Sequence, residues 1–178
     1  MALAAETAAA GYSAAGFADA AGGHRQPMPV NSIVVEAPPE AVFEVLSHGE
    51  RYAEWVLGPS RSWPIDARWP APGSMLEHRS GLPPLALRDT TSVVSSEPPR
   101  RMLLEARVRP LLVATVELTI APHAAGCLVR MEERLVGGIA RALPRWITEP
   151  LMRRRNDASL RRLRLLVLRS EGVPEPTG

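Results

Sequence analysis

The sequence predicts an α+β domain: a curved antiparallel sheet of about seven strands wrapped around a long C-terminal helix, with two short helices after the first strand. Three observations carry this. Apolar residues recur at every second position in successive segments from residue 61 to residue 135, as in half-buried antiparallel strands. The connections between these segments are short and rich in Gly and Pro, so a meander is the simplest topology. The closing segment, 145–169, is the only one long enough to cover such a sheet, reaching about 37 Å as a helix.

"VNSIVVEA" opens the domain as a β-branched strand. In "PPEAVFEVLSHGERYAEWVLG", Pro39 suits a first helical turn and Glu40 its positive end. Val42, Val45 and Leu46 follow at helical spacing; Gly49 breaks the helix, and Tyr52, Trp55 and Val56 mark a second short one. The period then falls to two. Trp63, Ile65, Ala67 and Trp69 alternate with polar residues in "RSWPIDARW", which reads as the second strand. "SMLEHRS" places Leu76, His78 and Ser80 on one face, and "LALRDTTSVVSSE" does so for Leu87, Asp89, Thr91 and Val93. Met102, Leu104, Ala106 and Val108 share a face of the next strand, and Ala114, Val116, Leu118 and Ile120 a face of the one after. The last strand, "CLVRMEERL", carries Val129, Met131, Glu133 and Leu135 together. Gly137-Gly138 reads as a flexible loop before the closing helix. That helix has a stripe of Met152, Asn156, Ser159/Leu160, Leu163 and Val167, with Arg153, Arg154, Arg161, Arg162 and Arg164 mostly elsewhere.

The chain of 178 residues is 46% hydrophobic, enough for one domain with a sizeable core. Residues 1–29 form an Ala/Gly-rich tract without periodicity, expected to be a disordered tail; the domain covers 30–170, and 171–178 make a short second tail. The tract starts with no cationic region and holds no compact apolar block, unlike a signal peptide. No apolar run approaches 18 residues, so no transmembrane helix is expected. A single Cys127 leaves no internal disulfide and suits a reducing compartment, so a cytoplasmic protein is expected. All 21 basic residues are Arg. Residues 139–170 hold nine of them against Glu149 and Asp157, whereas residues 1–138 are net acidic.

At this point the chain resembles the SRPBCC superfamily, whose helix-grip fold has this element order. The residues that carry the resemblance are "EAPPEAVFEVL" with Trp55 downstream, "WPAPGS", "SSEPPRRMLLEAR", "GCLVRMEERLVGG" and "RRNDASLRRLRLL". It covers roughly residues 30–169. START lipid-transfer domains, polyketide cyclases/aromatases and the birch-pollen-allergen group belong to that superfamily. The resemblance implies a deep cavity between sheet and last helix that holds an apolar small molecule. It implies no shared catalytic motif.

Several residues could serve such a cavity. Glu133 breaks the apolar phase of its strand. Pointing inward, it would be a desolvated carboxylate able to act as acid, base or acceptor. If the strand is already ending, it reaches solvent at the rim, and on the sequence alone that reading is preferred. His78 and Asp89 straddle a hairpin centred near Pro83 and fall opposite each other, as a general base and its orienting carboxylate would, or as a structural pair. Asn156 interrupts the apolar stripe of the last helix and, if buried, needs a hydrogen-bond partner in ligand, water or protein. Trp55, Trp63, Met102, Leu104, Val116, Met131 and Met152 complete the expected wall, with core packing as their plainer role.

These readings lead to an expected function and exclude others. The leading expectation is binding of a lipid, polyketide or isoprenoid in the cavity. The alternative is a polyketide cyclase/dehydratase using His78, Asp89 or Glu133, and a third class is an interaction protein with a vestigial pocket. No metal or cofactor is expected, since one Cys and four scattered His lack zinc spacing. There is no nucleophile elbow, and Gly137-Gly138 is no phosphate loop. Nucleic acid is not expected as a partner, for want of a stacking motif. The basic face at Arg153, Arg161 and Arg164 could meet an anionic membrane or an acyl carrier protein, or be an ordinary solvated face.

Overall fold

A computed structural model describes residues 30–80 and 87–172 of the chain. The expected tail at 1–29, residues 173–178 of the tail expected at 171–178, and the turn "GLPP" lie outside the described residues. Strand β1 (Val30–Val35) leads into helix α1 (Pro39–Leu46), a 3-10 turn (Gly49–Arg51) and the short α2 (Tyr52–Trp55). The strands β2 (Pro59–Pro64), β3 (Met75–Ser80), β4 (Leu87–Glu97), β5 (Arg101–Val108), β6 (Leu112–His123) and β7 (Gly126–Gly137) follow. A 3-10 turn (Ile139–Ala142) then enters α3 (Arg145–Ser170). The strands form one sheet in the order β1-β7-β6-β5-β4-β3-β2, every pair antiparallel. The expected meander is present, and β1 extends it by pairing with β7. This is the helix-grip architecture.

The period-two pattern sets the inner face. Leu76, Val93, Met102, Leu104, Leu118 and Val129 are each at most 1% exposed, so their side chains contribute about 1.5–3 kcal/mol each on burial. Helix α1 starts with Pro39 at its first position, where a missing N–H costs nothing, and buries Val42, Phe43, Val45 and Leu46. Helix α3 packs mainly on β1, α1, α2 and β7. It buries Leu160, Leu163, Val167 and Leu168 there. Polar ties fix its position: Asn31 Nδ2 of β1 donates to Arg153 O at 3.1 Å and to Asp157 Oδ1 at 2.5 Å. Arg164 donates a fork to Glu36 at 2.7 Å on both arms.

Two expectations are corrected. The alternation Trp63, Ile65, Ala67, Trp69 does not make one strand face. β2 ends at Pro64, and residues 65–73 turn. Within β2 the inward residue is Ser62, which lies opposite His78, whereas Trp63 lies opposite Glu77 on the outer face. Asp66 accepts from Arg68 N at 2.9 Å and so closes a turn. The turn carries Trp69 back to α1, where its indole N–H donates to Leu46 O at 3.2 Å. The second correction concerns Gly137-Gly138, which makes a tight corner rather than a loop. Gly138 has φ +83, and a Cβ there would lie 2.5 Å from Leu112 Cα.

Gly126 and Gly58 make a matched pair for testing this packing. Their φ angles are +130 and +127, but a Cβ on Gly126 would collide with Val35 O, while one on Gly58 would meet nothing within 4 Å. Both Ala variants should lose about 1 kcal/mol from backbone strain. Gly126→Ala should lose roughly 2 kcal/mol more, because backbone atoms of the β1–α1 connection must move. Urea unfolding of the two variants checks this; equal losses would mean that the close approach is not tight.

Candidate functional site

Seven polar side chains gather on the inner face among the apolar ones. Tyr52 comes from α2, His78 from β3, Thr91 from β4 and Glu133 from β7, while Arg155, Asn156 and Ser159 come from α3. His78 and Glu133 are each 1% exposed, and Thr91 and Asn156 are 0% exposed. The strand phases place them there. Glu133 follows Val129 and Met131 at every second position, and β7 continues to Gly137, so Glu133 is not at a frayed end. The expected rim position is therefore wrong.

Two linked groups make up the cluster. On one side, the rings of Tyr52 and His78 stack at 5.8 Å and 25°. Thr91 Oγ1 donates to the Tyr52 hydroxyl at 3.2 Å. Trp55 meets Tyr52 edge-on at 5.4 Å. On the other side, Arg155 Nη2 donates to Glu133 Oε1 at 2.6 Å. Burial raises the pKa of the Tyr52 phenol, Thr91 and the charge of Arg155 act to lower it, and the Glu133 charge acts to raise it. The phenol therefore stays protonated, feels both members of the ion pair and can donate a hydrogen bond. Burial lowers the pKa of His78 below its ordinary 6.5, against the opposing pull of Asp89, so its imidazole is neutral at neutral pH.

Several buried polar atoms in this cluster have no protein partner among the described residues: His78 Nε2, Glu133 Oε2, Arg155 Nε and both amide atoms of Asn156. Ser159, by contrast, is satisfied: it donates to Arg155 O and accepts from Leu57 N, both at 2.9 Å. A buried amide left wholly unpaired costs about 1–3 kcal/mol per group, so such atoms are where an oxygen-bearing ligand gains most. Chemically, the arrangement brings a neutral imidazole, a phenol donor, an amide and a compensated carboxylate to the inner side of the sheet, among buried apolar side chains.

His78 and Asp89 are opposite each other in register, as expected. Their side chains, however, are engaged separately. His78 Nδ1 lies 3.2 Å from Ser80 Oγ. Asp89 accepts from Arg109 N at 2.5 Å and Thr90 N at 2.9 Å, and from the Arg109 guanidinium at 3.3 and 3.4 Å. Burial works to raise the Asp89 pKa, but these donors together outweigh it and hold it low. Asp89 thus influences His78 only through space.

Trp55, Met102, Leu104, Val116 and Met131 are buried on the inner side, and Met152 is half-buried. Trp63 is not among them: it lies on the outer face, with the Arg88 guanidinium 5.8 Å from its ring centre. There it borders an open groove of about 460 Å³ with Glu50, Arg61, Ser62, Arg79 and Arg88, a charged setting unsuited to an apolar ligand. Of the expected basic face, Arg153 pairs with Glu149 at 3.0 Å, Arg164 is held by Glu36, and Arg161 is exposed. The sequence reading missed Arg155, Tyr52 and Thr91 as members of the cluster. Two had a signal: Thr91 shares the phase of Asp89 and Val93, and Arg155 stands one turn before Ser159, beside Asn156.

Among the described residues, no three His, Cys, Asp or Glu side chains gather as metal ligands would. None of the helices there is long and apolar enough to cross a membrane.

Comparison with known proteins accords with this fold. The sequence model of the family described as polyketide cyclase/dehydrase and lipid transport matches residues 30–167, and the chain belongs to that family. No curated protein matches. Similar solved structures include the protein TTHA0849 of Thermus thermophilus, at TM-score 0.65 and 14% identity over 81% of this chain and 99% of that one. CV1439 of Chromobacterium violaceum gives 0.61 and 19%, over 79% and 98%. The di-domain ARO/CYC StfQ of the steffimycin biosynthetic pathway gives 0.62 and 12%, over 81% of this chain and 51% of that one, so this chain spans about half of it. At these identities the likeness is one of fold.

The depressed His78 pKa has a measurable consequence. As pH falls below 6.5 the unfolded chain binds a proton at this residue and the folded chain does not, so stability declines with acidification. Between about pH 7 and about pH 5.5, the urea midpoint of the parent protein should fall more than that of His78→Gln. Parallel declines would show that His78 titrates normally in the folded protein.

Proposed function

We propose that this protein binds a mainly apolar small molecule carrying one or more oxygen functions, of the lipid, polyketide or isoprenoid class, between the sheet and α3. One observation carries the reading. Asn156 is 0% exposed, with neither amide atom bonded to protein among the described residues, and lies in the helix face that covers an apolar sheet. An amide donor and an acceptor at that point would hold a carbonyl or hydroxyl, while Met102, Leu104 and Met131 would contact the hydrocarbon. Family membership supports a ligand-binding or cyclase role.

A second reading, polyketide cyclase/dehydratase, draws on a different observation. His78 Nε2 is buried with no hydrogen-bond partner among the described residues, on a ring stacked against Tyr52. A neutral imidazole can remove a proton from carbon beside a ketone, and the phenol can donate to the oxygen on which charge develops. On this reading His78→Gln abolishes ring closure of a polyketide while leaving its binding nearly intact. On the carrier reading the ligand is released unchanged.

Mass spectrometry of organic extracts of the purified protein identifies the ligand class. Asn156→Leu then tests the anchor. The empty variant should be as stable as the parent or more so, because no protein partner is lost. Its affinity for a fatty acid or other oxygenated probe should drop by about 0.5–1.5 kcal/mol, with affinity for a pure hydrocarbon unchanged or improved. A loss of several kcal/mol in the empty protein would instead place Asn156 in a structural network.

A further inference from the structure

Large apolar side chains stand exposed at one end of the molecule. Among the described residues eight such side chains are exposed, and six of them belong to the start of α3 and the segments beside it: Leu111, Ile139, Leu143, Trp146, Ile147 and Leu151. Trp146 is 77% exposed and Leu151 is 68% exposed. The backbone brings these segments together. Ile139 N donates to Pro110 O at 3.2 Å and Ala140 N to Leu111 O at 2.9 Å, so the β5–β6 turn is bound to the 3-10 turn that leads into the helix. Gly138, with its positive φ, makes the corner. Surface apolar residues scattered singly need no explanation; a contiguous group of this kind does.

The charge carried by these segments is mainly positive. Between residues 139 and 154 stand Arg141, Arg145, Arg153 and Arg154, and the only acid is Glu149, which lies between Arg145 and Arg153 at 3.6 and 3.0 Å. The basic stretch expected from the sequence thus has two ends with different character. Toward the C-terminus, Arg164 is occupied by Glu36 and the apolar residues face inward. Toward the N-terminus, the apolar residues face outward beside the arginines.

We propose that the start of α3 and the adjoining turns form a docking face for a lipid bilayer carrying anionic headgroups. A Trp and several large aliphatic side chains beside arginines fit the boundary between headgroups and acyl chains, where apolar burial and attraction to anionic lipid act together. A second copy of this chain suits the face less well. A two-fold contact would set each basic rim against another, with too few acids there to compensate. The proposal does not depend on what the interior holds. If the protein carries a lipid, the same face would set the end of α3 nearest Arg155 against the membrane that supplies it.

The test is co-sedimentation of the full chain with vesicles of phosphatidylcholine alone or mixed with phosphatidylglycerol, at low and high salt. The parent protein is expected to bind the mixed vesicles and to release as salt rises. The double variant Trp146→Glu/Leu151→Glu is expected to bind at least about tenfold more weakly with an unchanged unfolding midpoint, since both positions are exposed. Trp146→Ser, which adds no charge, should lose about threefold or more and so separates apolar contact from repulsion. The proposal is overturned if the parent does not bind mixed vesicles at low salt, or if the double variant binds as well as the parent. It is also overturned if sedimentation shows a dimer that the double variant dissociates, which would place a second copy on this face.

Discussion

The buried carboxylate of Glu133 sets the terms for the rest of the molecule. It sits at 1% exposure on an apolar sheet face, and its one partner among the described residues is Arg155, whose side chain is 29% exposed. A charge taken from water without a counter-charge costs several kcal/mol. The guanidinium must therefore reach in from α3, which limits how the helix can rotate over the sheet. Asn31, Arg164 and Ser159 hold the same rotation from other directions, through Asp157, Glu36 and Leu57.

Both proposed surfaces follow from that rotation. With Arg155 turned to Glu133, Asn156 and Ser159 face the interior, and Leu160, Leu163 and Val167 continue the buried face. Ile147 stands nine residues before Asn156, about two and a half turns, so it points the opposite way. Leu151 also turns outward. The first third of the helix thus shows its apolar residues to the outside, while the last two thirds bury theirs. One orientation places the Asn156 amide inward and an apolar face outward.

The architecture was legible because its signals are collective. The alternation of β3 to β7 repeats over many residues, and each strand supports the phase of its neighbour, so the inward set from His78 to Met131 follows from pattern alone. The failures came where one residue decides. Trp63 and Trp69 share a spacing with Ile65, but Pro64 removes a donor and Asp66 closes a turn, so the apparent alternation is accidental. Arg155 is one of three consecutive arginines with the same propensity and charge. Which of them enters the protein depends on helix rotation, and that depends on Glu133, 22 residues earlier. Glu133 itself was ambiguous because the end of its strand was, and the pairing of Val113 with Gly137 resolves it. Thr91 shares the inward phase of β4, but neither it nor Tyr52 carries a local mark of belonging to a polar cluster. A phenol and a hydroxyl become a site only when α2 is folded against β4.

The Glu133–Arg155 pair is measured most directly by a double-mutant cycle with Glu133→Gln and Arg155→Met, followed by urea unfolding. Arg155→Met should cost about 3 kcal/mol or more, because it leaves the carboxylate buried alone. Glu133→Gln should cost less, since Arg155 can turn toward water. The double variant should recover much of the loss, giving a coupling of about 1.5 kcal/mol or more. Additive effects, with coupling below about 0.5 kcal/mol, would mean that the pair does not set the orientation of α3 and would contradict the account.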